Sequence, residues 1–179
     1  KLQTALICGA FNVESKNTIE MLDFNFTEKE SGLNPQLGSS TKDKHWVLVK
    51  ANKKNVFDIR NSQISGSNEN AAIFMSFWLF SPRSLVNLLA EPDMPKLDMF
   101  IGAENGFALY INGNCFNKKV TEKFNFEGNK VENLPLEKGW NHLMVKIVRG
   151  SGDGHWNMNT RFESNSSEYL KQMLSSVSR

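Results

Sequence analysis

The sequence predicts an all-β sandwich, and three observations carry that reading. Short apolar runs alternate at the two-residue period of strands and are separated by Gly, Pro, Asn and Ser clusters. One run, in which Phe107, Leu109 and Ile111 alternate with Ala108 and Tyr110, ends on Asn112-Gly113. That dipeptide supplies the two positive-φ positions of a tight type I′ hairpin turn. At 179 residues, with 13 Phe and 4 Trp, the chain can bury one large aromatic core. Sandwiches of this length usually form one domain, so residues 1–179 are read as one.

Taken in order, Thr4-Ala-Leu-Ile-Cys8 is a buried first strand closed by Gly9. From Asn12 to Lys44, Asn, Gly, Pro and Ser interrupt any period, and Phe11, Phe24 and Phe26 are the islands that pin this long loop to the body. His45 to Lys50 reads as a strand with Trp46 and Leu48 on one face, and Val56 to Ile59 as a weaker one before the polar Asn61 to Asn70 loop. Ala71 to Phe80 is the most apolar stretch, suited to a central strand covered on both faces and ended by Ser81-Pro82. Lys96 to Ile101 leads into the Asn-Gly hairpin. Leu143 to Val148 is another buried strand, and Arg149 to Gly154 a glycine-rich turn. Trp156, Met158, Thr160 and Phe162 share one face of the last strand. Asn165 with Glu168 offers a capping box, and Tyr169, Leu170, Met173, Leu174 and Val177 recur at helical spacing, which predicts one short terminal helix within 164–179.

Charge excludes some functions. The formal net charge of +2 is too balanced for a nucleic-acid binder, although the window Lys42–Arg60 holds six basic residues against Asp43 and Asp58. A solvated face is preferred there over an anion site. No run approaches the length of a membrane span. Cys8 and Cys115 have no metal-ligand spacing and read as buried free thiols, with a single bridge as the alternative.

Two stretches carry the closest family likeness: Gly102-Ala-Glu-Asn-Gly-Phe-Ala-Leu-Tyr-Ile-Asn-Gly113 and Leu136-Glu-Lys-Gly-Trp-Asn-His-Leu-Met-Val-Lys146. With the opening Ala5-Leu-Ile-Cys-Gly-Ala-Phe11, they resemble the galactose-binding-like jelly-roll β-sandwich domains of bacterial glycan-degrading proteins. Ala10 stands where the family's opening motif usually has Pro, and Asn105 where the segment before the hairpin often has Asp. These motifs shape a turn, a hairpin and a packed Trp rather than a catalytic centre. The resemblance implies a carbohydrate-binding or accessory module, next to a catalytic domain, in a secreted, periplasmic or cell-surface protein.

No nucleophile elbow, H-E-x-x-H or phosphate-binding loop is present, and no pair of carboxylates is recognisable, so no catalytic residues are assigned. A sugar needs a flat aromatic face and directional polar groups. Trp78 and Trp140 lie in apolar strand sequence and read as core. Trp156 and Trp46 adjoin polar loops and read as the stacking platforms, with His155, Asn105 and Arg161 as hydroxyl partners. Asp153, between two glycines, is the candidate ligand for a structural calcium, and no other cofactor is expected. The competing readings are a structural docking domain, and a glycan hydrolase or esterase built on the 12–44 loop.

Overall fold

The computed structural model describes residues 2–14, 17–27, 30–59, 69–86, 93–150 and 156–178. In chain order its elements are β1 (Thr4–Asn12), α1 (Thr18–Asp23), β2 (Ser40–Thr41), β3 (Lys44–His45), β4 (Val47–Lys50), β5 (Val56–Asp58), β6 (Ala71–Ser81), β7 (Leu97–Gly102), β8 (Gly106–Ile111), β9 (Asn114–Val120), β10 (Asn129–Val131), β11 (Gly139–Arg149), β12 (Asn157–Ser164), α2 (Ser167–Gln172) and β13 (Leu174–Ser176). A seven-stranded antiparallel sheet runs β4-β1-β6-β11-β8-β9, with β13 also paired to β6, and a four-stranded sheet runs β10-β7-β12-β5. One apolar core joins them. Ile73, Met75, Phe77 and Leu79 of β6 and Leu143, Val145 and Ile147 of β11 meet Phe57, Met99, Ile101 and Met158 of the smaller sheet and Trp156 just before β12.

The continuous apolar run of β6 is explained by its place in the middle of the large sheet. Its odd-numbered residues enter the core, whereas Ala72 and Phe74 join a second cluster on the opposite face with Leu6, Cys8, Tyr110, Met144 and Val148. The roof of that cluster is the stretch read as an irregular loop. It contains α1, whose Asn17 caps Glu20 N–H while Glu20 returns a bond to Asn17 N–H, and whose Met21 and Leu22 are buried. Phe26 and Trp46 complete the cover.

A buried polar hub clamps this roof. Lys146 is fully buried and Glu30 is 4% exposed. The ammonium lies 3.1 Å from both carboxylate oxygens and also donates to the carbonyls of Leu22 (3.2 Å) and Phe24 (2.6 Å). Glu30 further accepts from Tyr110 Oη at 2.9 Å and Phe26 N–H at 2.8 Å. Each member therefore has a partner, the condition under which a buried ion pair is tolerated. Burial pushes the Lys146 ammonium below the ordinary lysine range, opposed in part by Glu30, and burial followed by the Glu30 charge pushes the Tyr110 phenol up.

Two expectations are corrected. The terminal helix is only Ser167–Gln172, capped by Ser166 rather than Asn165, whose side-chain oxygen instead accepts Lys96 N–H. Residues 174–176 form β13 because β1 pairs with β6 only as far as Ser76, and β13 takes up the β6 edge at Trp78 to Phe80. The thiols are free, yet Cys115 is exposed, since it sits on the edge strand β9. Cys8 is buried, and burial pushes its thiol up to about 12.

The hairpin turn has the expected geometry, with φ of 49° at Asn112 and 83° at Gly113. It also joins the second sequence motif. Asn112 Nδ2 donates to Asn141 Oδ1 at 2.9 Å, and His142 N–H donates to Asn112 Oδ1 at 2.9 Å.

Candidate functional site

The roof covers only part of the outer face of the large sheet. Beyond Phe74, the outward residues of β6 are Ser76, Trp78 and Phe80, and those of β11 are Met144, His142 and Trp140. The register sets Trp78 opposite His142 and Phe80 opposite Trp140, while β13 places Ser176 beside Trp78 and Leu174 beside Phe80. Trp78, Phe80, Trp140 and His142 are all half-buried, and Leu174 is 57% exposed. Four rings thus form a two-by-two block across the paired strands β6 and β11.

Ring contacts fix their attitudes. Trp78 and His142 lie 4.9 Å apart at 35°, nearly stacked, and Phe80 meets Trp140 edge-to-face at 5.5 Å. Ser76 Oγ sits 2.8 Å from His142 Nε2, which anchors the imidazole from below. Burial lowers the His142 pKa, so the ring is neutral at pH 7. Asn141, with no exposed surface, accepts Glu137 N–H and donates to the carbonyls of Glu137 and Gly139, holding the start of β11 that carries Trp140.

A wall rises at the Trp78 end. Asn34, Pro35, Gln36 and Leu37 enclose, with Trp78 and Ser178, an open cavity of about 640 Å³. Ser39 ties the turn, accepting Gln36 N–H and donating to the Gln36 carbonyl. Gly38 N–H donates to the Trp46 carbonyl and Trp46 N–H to the Ser39 carbonyl, so the buried Trp46 buttresses the wall. Exposed Asn34, Gln36 and Ser178 add polar groups at the rim.

Among the residues expected from sequence, Trp46 (2% exposed) and Trp156 (fully buried) present no ring face to solvent. This corrects their assignment as platforms. Trp46 Nε1 donates to Thr41 Oγ1 under the roof, and Trp156 lies between the two sheets, its Nε1 without a hydrogen-bond partner among the described residues. Arg161 is on the far side, stacked 3.8 Å over Phe100 on the outer face of the small sheet. Asn105 accepts Gly150 N–H in a turn at 3.2 Å. These four do not converge. His155 and Asp153 lie outside the described residues, and among those described no group of three His, Cys, Asp or Glu is placed to hold a metal.

Trp78 and Trp140 reverse the expectation of core packing. Their signal was parity: both share a strand face with a polar residue, Ser76 and His142 respectively. What sequence did not reveal is where the roof stops.

The Ser76–His142 pair superficially resembles a nucleophile and its base. Ser76 is 2% exposed, however, and stands in mid-sheet between Leu6 and Met144. Its neighbours on β1 and β11 are laddered backbone, not a turn or helix N-terminus that would aim free amides at an oxyanion. In the 12–44 segment, Glu30 is committed to Lys146. The chemistry available at the exposed block is stacking against flat faces with polar groups at one end.

No protein-family model matches the chain, and no curated protein matches it. Among solved structures, it is similar to an anti-sigma factor domain-containing protein from Clostridium clariflavum, at 13% identity and TM-score 0.43, over 97% of this chain and 44% of that one. It is also similar to an uncultured Clostridium sp. β-glucuronidase (12%, TM-score 0.43, 82% of this chain and 21% of that one). A GH31 α-xylosidase from Xanthomonas citri matches at 12% and TM-score 0.37, over 65% of this chain and 12% of that one. The chain spans less than half the length of each. The case for a function therefore stands on this chain's own residues.

Proposed function

We propose that this chain is a non-catalytic glycan-binding module of the galactose-binding-like jelly-roll kind, and that it binds sugar on the exposed aromatic block of its large sheet. The observation that supports the reading is the partly exposed pair Trp78 and Trp140, packed against His142, Phe80 and Asn141 and bordered by Asn34, Gln36 and Ser178. Sugar C–H faces stack on such rings while hydroxyls need directional partners at the rim. The hairpin and Gly-Trp-Asn motifs, which resemble those of accessory domains, support the same class. In this reading the protein is exported, works beside a catalytic domain and needs no metal for binding.

Each ring platform contributes on the order of 1–3 kcal/mol, taking base stacking on aromatics as the guide, so dissociation constants fall in the micromolar to millimolar range. Calorimetric titration against a polysaccharide panel tests the proposal. Binding that disappears in folded Trp78→Ala, weakens at least fivefold in folded Trp140→Ala and survives Arg161→Ala is the expected result. If every polysaccharide fails to bind the wild-type domain, the face is a docking surface for protein instead.

A further inference from the structure

The aromatic block is bordered at one end by a wall, the 34–37 turn with Ser178. Along β6 the outward residues run Phe74, Ser76, Trp78, Phe80. Phe74 is under the roof, and Leu33, which also packs on that cluster, leads directly into the wall at 34–37. From the other side, β13 pairs Ser176 with Trp78, so the chain leaving β13 heads toward the Ser76 side, where Val177 packs on the roof cluster and Ser178 lines the cavity. Both segments stand on the same side of Trp78. In the opposite direction lie Phe80, Trp140 and the exposed Leu174, then the sheet end at Ser81 and Gly139.

We infer that this face recognises the end of a glycan chain: the terminal sugar sits in the open cavity between Trp78 and the 34–37 wall, and the next sugar lies over the Phe80–Trp140 pair. The inference rests on the glycan-binding reading and sharpens it. Residues two apart on a strand are separated by about 6.5–7 Å, and the diagonal from Trp78 to Trp140 by about 7–8 Å. That spacing is of the order of one to two linked pyranose rings, so the two indoles serve neighbouring sugars. An internal stretch of polymer would have to continue past Trp78 through the 34–37 turn, which is held in place by the Gln36–Ser39 hydrogen bonds and by the bonds of the adjoining Gly38 and Ser39 to Trp46. The exposed amides of Asn34 and Gln36 and the Ser178 hydroxyl are at the walled end, where a terminal sugar has its extra free hydroxyl to satisfy.

The test is an array of β-glucan, xylan, mannan, galactan and chitin oligosaccharides of one to six sugars, with the parent polymers, followed by calorimetry on whichever series binds. The affinity per chain is expected to rise at least fivefold from mono- to disaccharide and then to change by less than twofold up to the hexasaccharide. Brief hydrolysis of the polymer should raise binding per unit mass, since it creates ends. Trp140→Ala should erase the mono-to-disaccharide gain and leave the monosaccharide affinity unchanged, whereas Trp78→Ala should abolish both. Trp78→Leu, which keeps an apolar side chain without a flat face, replaces the alanine variant if that does not fold. Affinity that climbs steadily through six sugars, or polymer binding unaffected by the number of ends, overturns end recognition alone. Failure of the whole array to bind overturns the glycan reading with it.

Discussion

Replacing Lys146 by Met should be among the most damaging single changes in the chain. The substitution conserves length and apolar stem but leaves Glu30, 4% exposed, with only Tyr110 and Phe26 N–H as partners, and strips the Leu22 and Phe24 carbonyls of a shared donor. Breaking a buried pair by removing one partner costs about 3–5 kcal/mol. Against the 5–15 kcal/mol typical of a whole domain, that is a large share. With a urea m-value of about 2 kcal/mol per molar, the unfolding midpoint moves down by about 1.5–2.5 M. The double variant Lys146→Met/Glu30→Gln removes the stranded charge and should recover at least half of the loss. Tryptophan fluorescence in urea reads both, since Trp46 belongs to the same cluster. A loss below about 1 kcal/mol, the range of exposed pairs, would refute the clamp, as would a double variant no more stable than the single one.

Gly113→Val should destabilise by about 2 kcal/mol or more in thermal unfolding, because φ is +83° and an added Cβ would meet the Ser31 carbonyl oxygen at 2.6 Å. An unchanged melting temperature would mean that the turn and the segment above it relax freely. Asn141→Ala removes a fully buried amide that accepts Glu137 N–H and the Asn112 amide N–H at the partly exposed start of β11, a net loss of about 0.5–1.5 kcal/mol per hydrogen bond. Melting within a degree of wild type would show that the turn is held otherwise. His142 is held below its ordinary pKa of 6.5, so the unfolded chain takes up its proton first as pH falls. The stability contributed by the neutral ring is complete above pH 6.5 and lost as pH drops toward the folded value; the acid-side slope should flatten in His142→Gln, and an identical slope in both proteins would contradict this.

Strands were legible where parity and turn chemistry agreed. Asn112-Gly113 fixed a hairpin, and the run Ala71 to Phe80 required cover on both faces. α1 was hidden because its six residues are too few for a helical period, although Asn17 and Glu20 form the cap pair that marks its start. The C-terminal pattern misled because Leu174 and Val177 continue a helical spacing that an unfilled edge of β6 overrides with β pairing. The site failed for a related reason. A Trp beside polar sequence, such as Trp46 or Trp156, suggests exposure, but long-range packing decides it: the roof buries one and the second sheet the other. Trp78 and Trp140 look like core locally and are left half-open only because the roof ends at the 34–37 turn.

The most direct measurement of the central claim is the movement of the four indole N–H resonances when glycan is added to ¹⁵N-labelled protein, each resonance assigned by a Trp→Phe variant. A glycan bound on the large sheet shifts or broadens the signals of Trp78 and Trp140 and leaves those of Trp46 and Trp156, sealed under the roof and between the sheets, in place. Saturable binding with the Trp78 and Trp140 signals unmoved, or with changes confined to Trp46 and Trp156, would contradict the account.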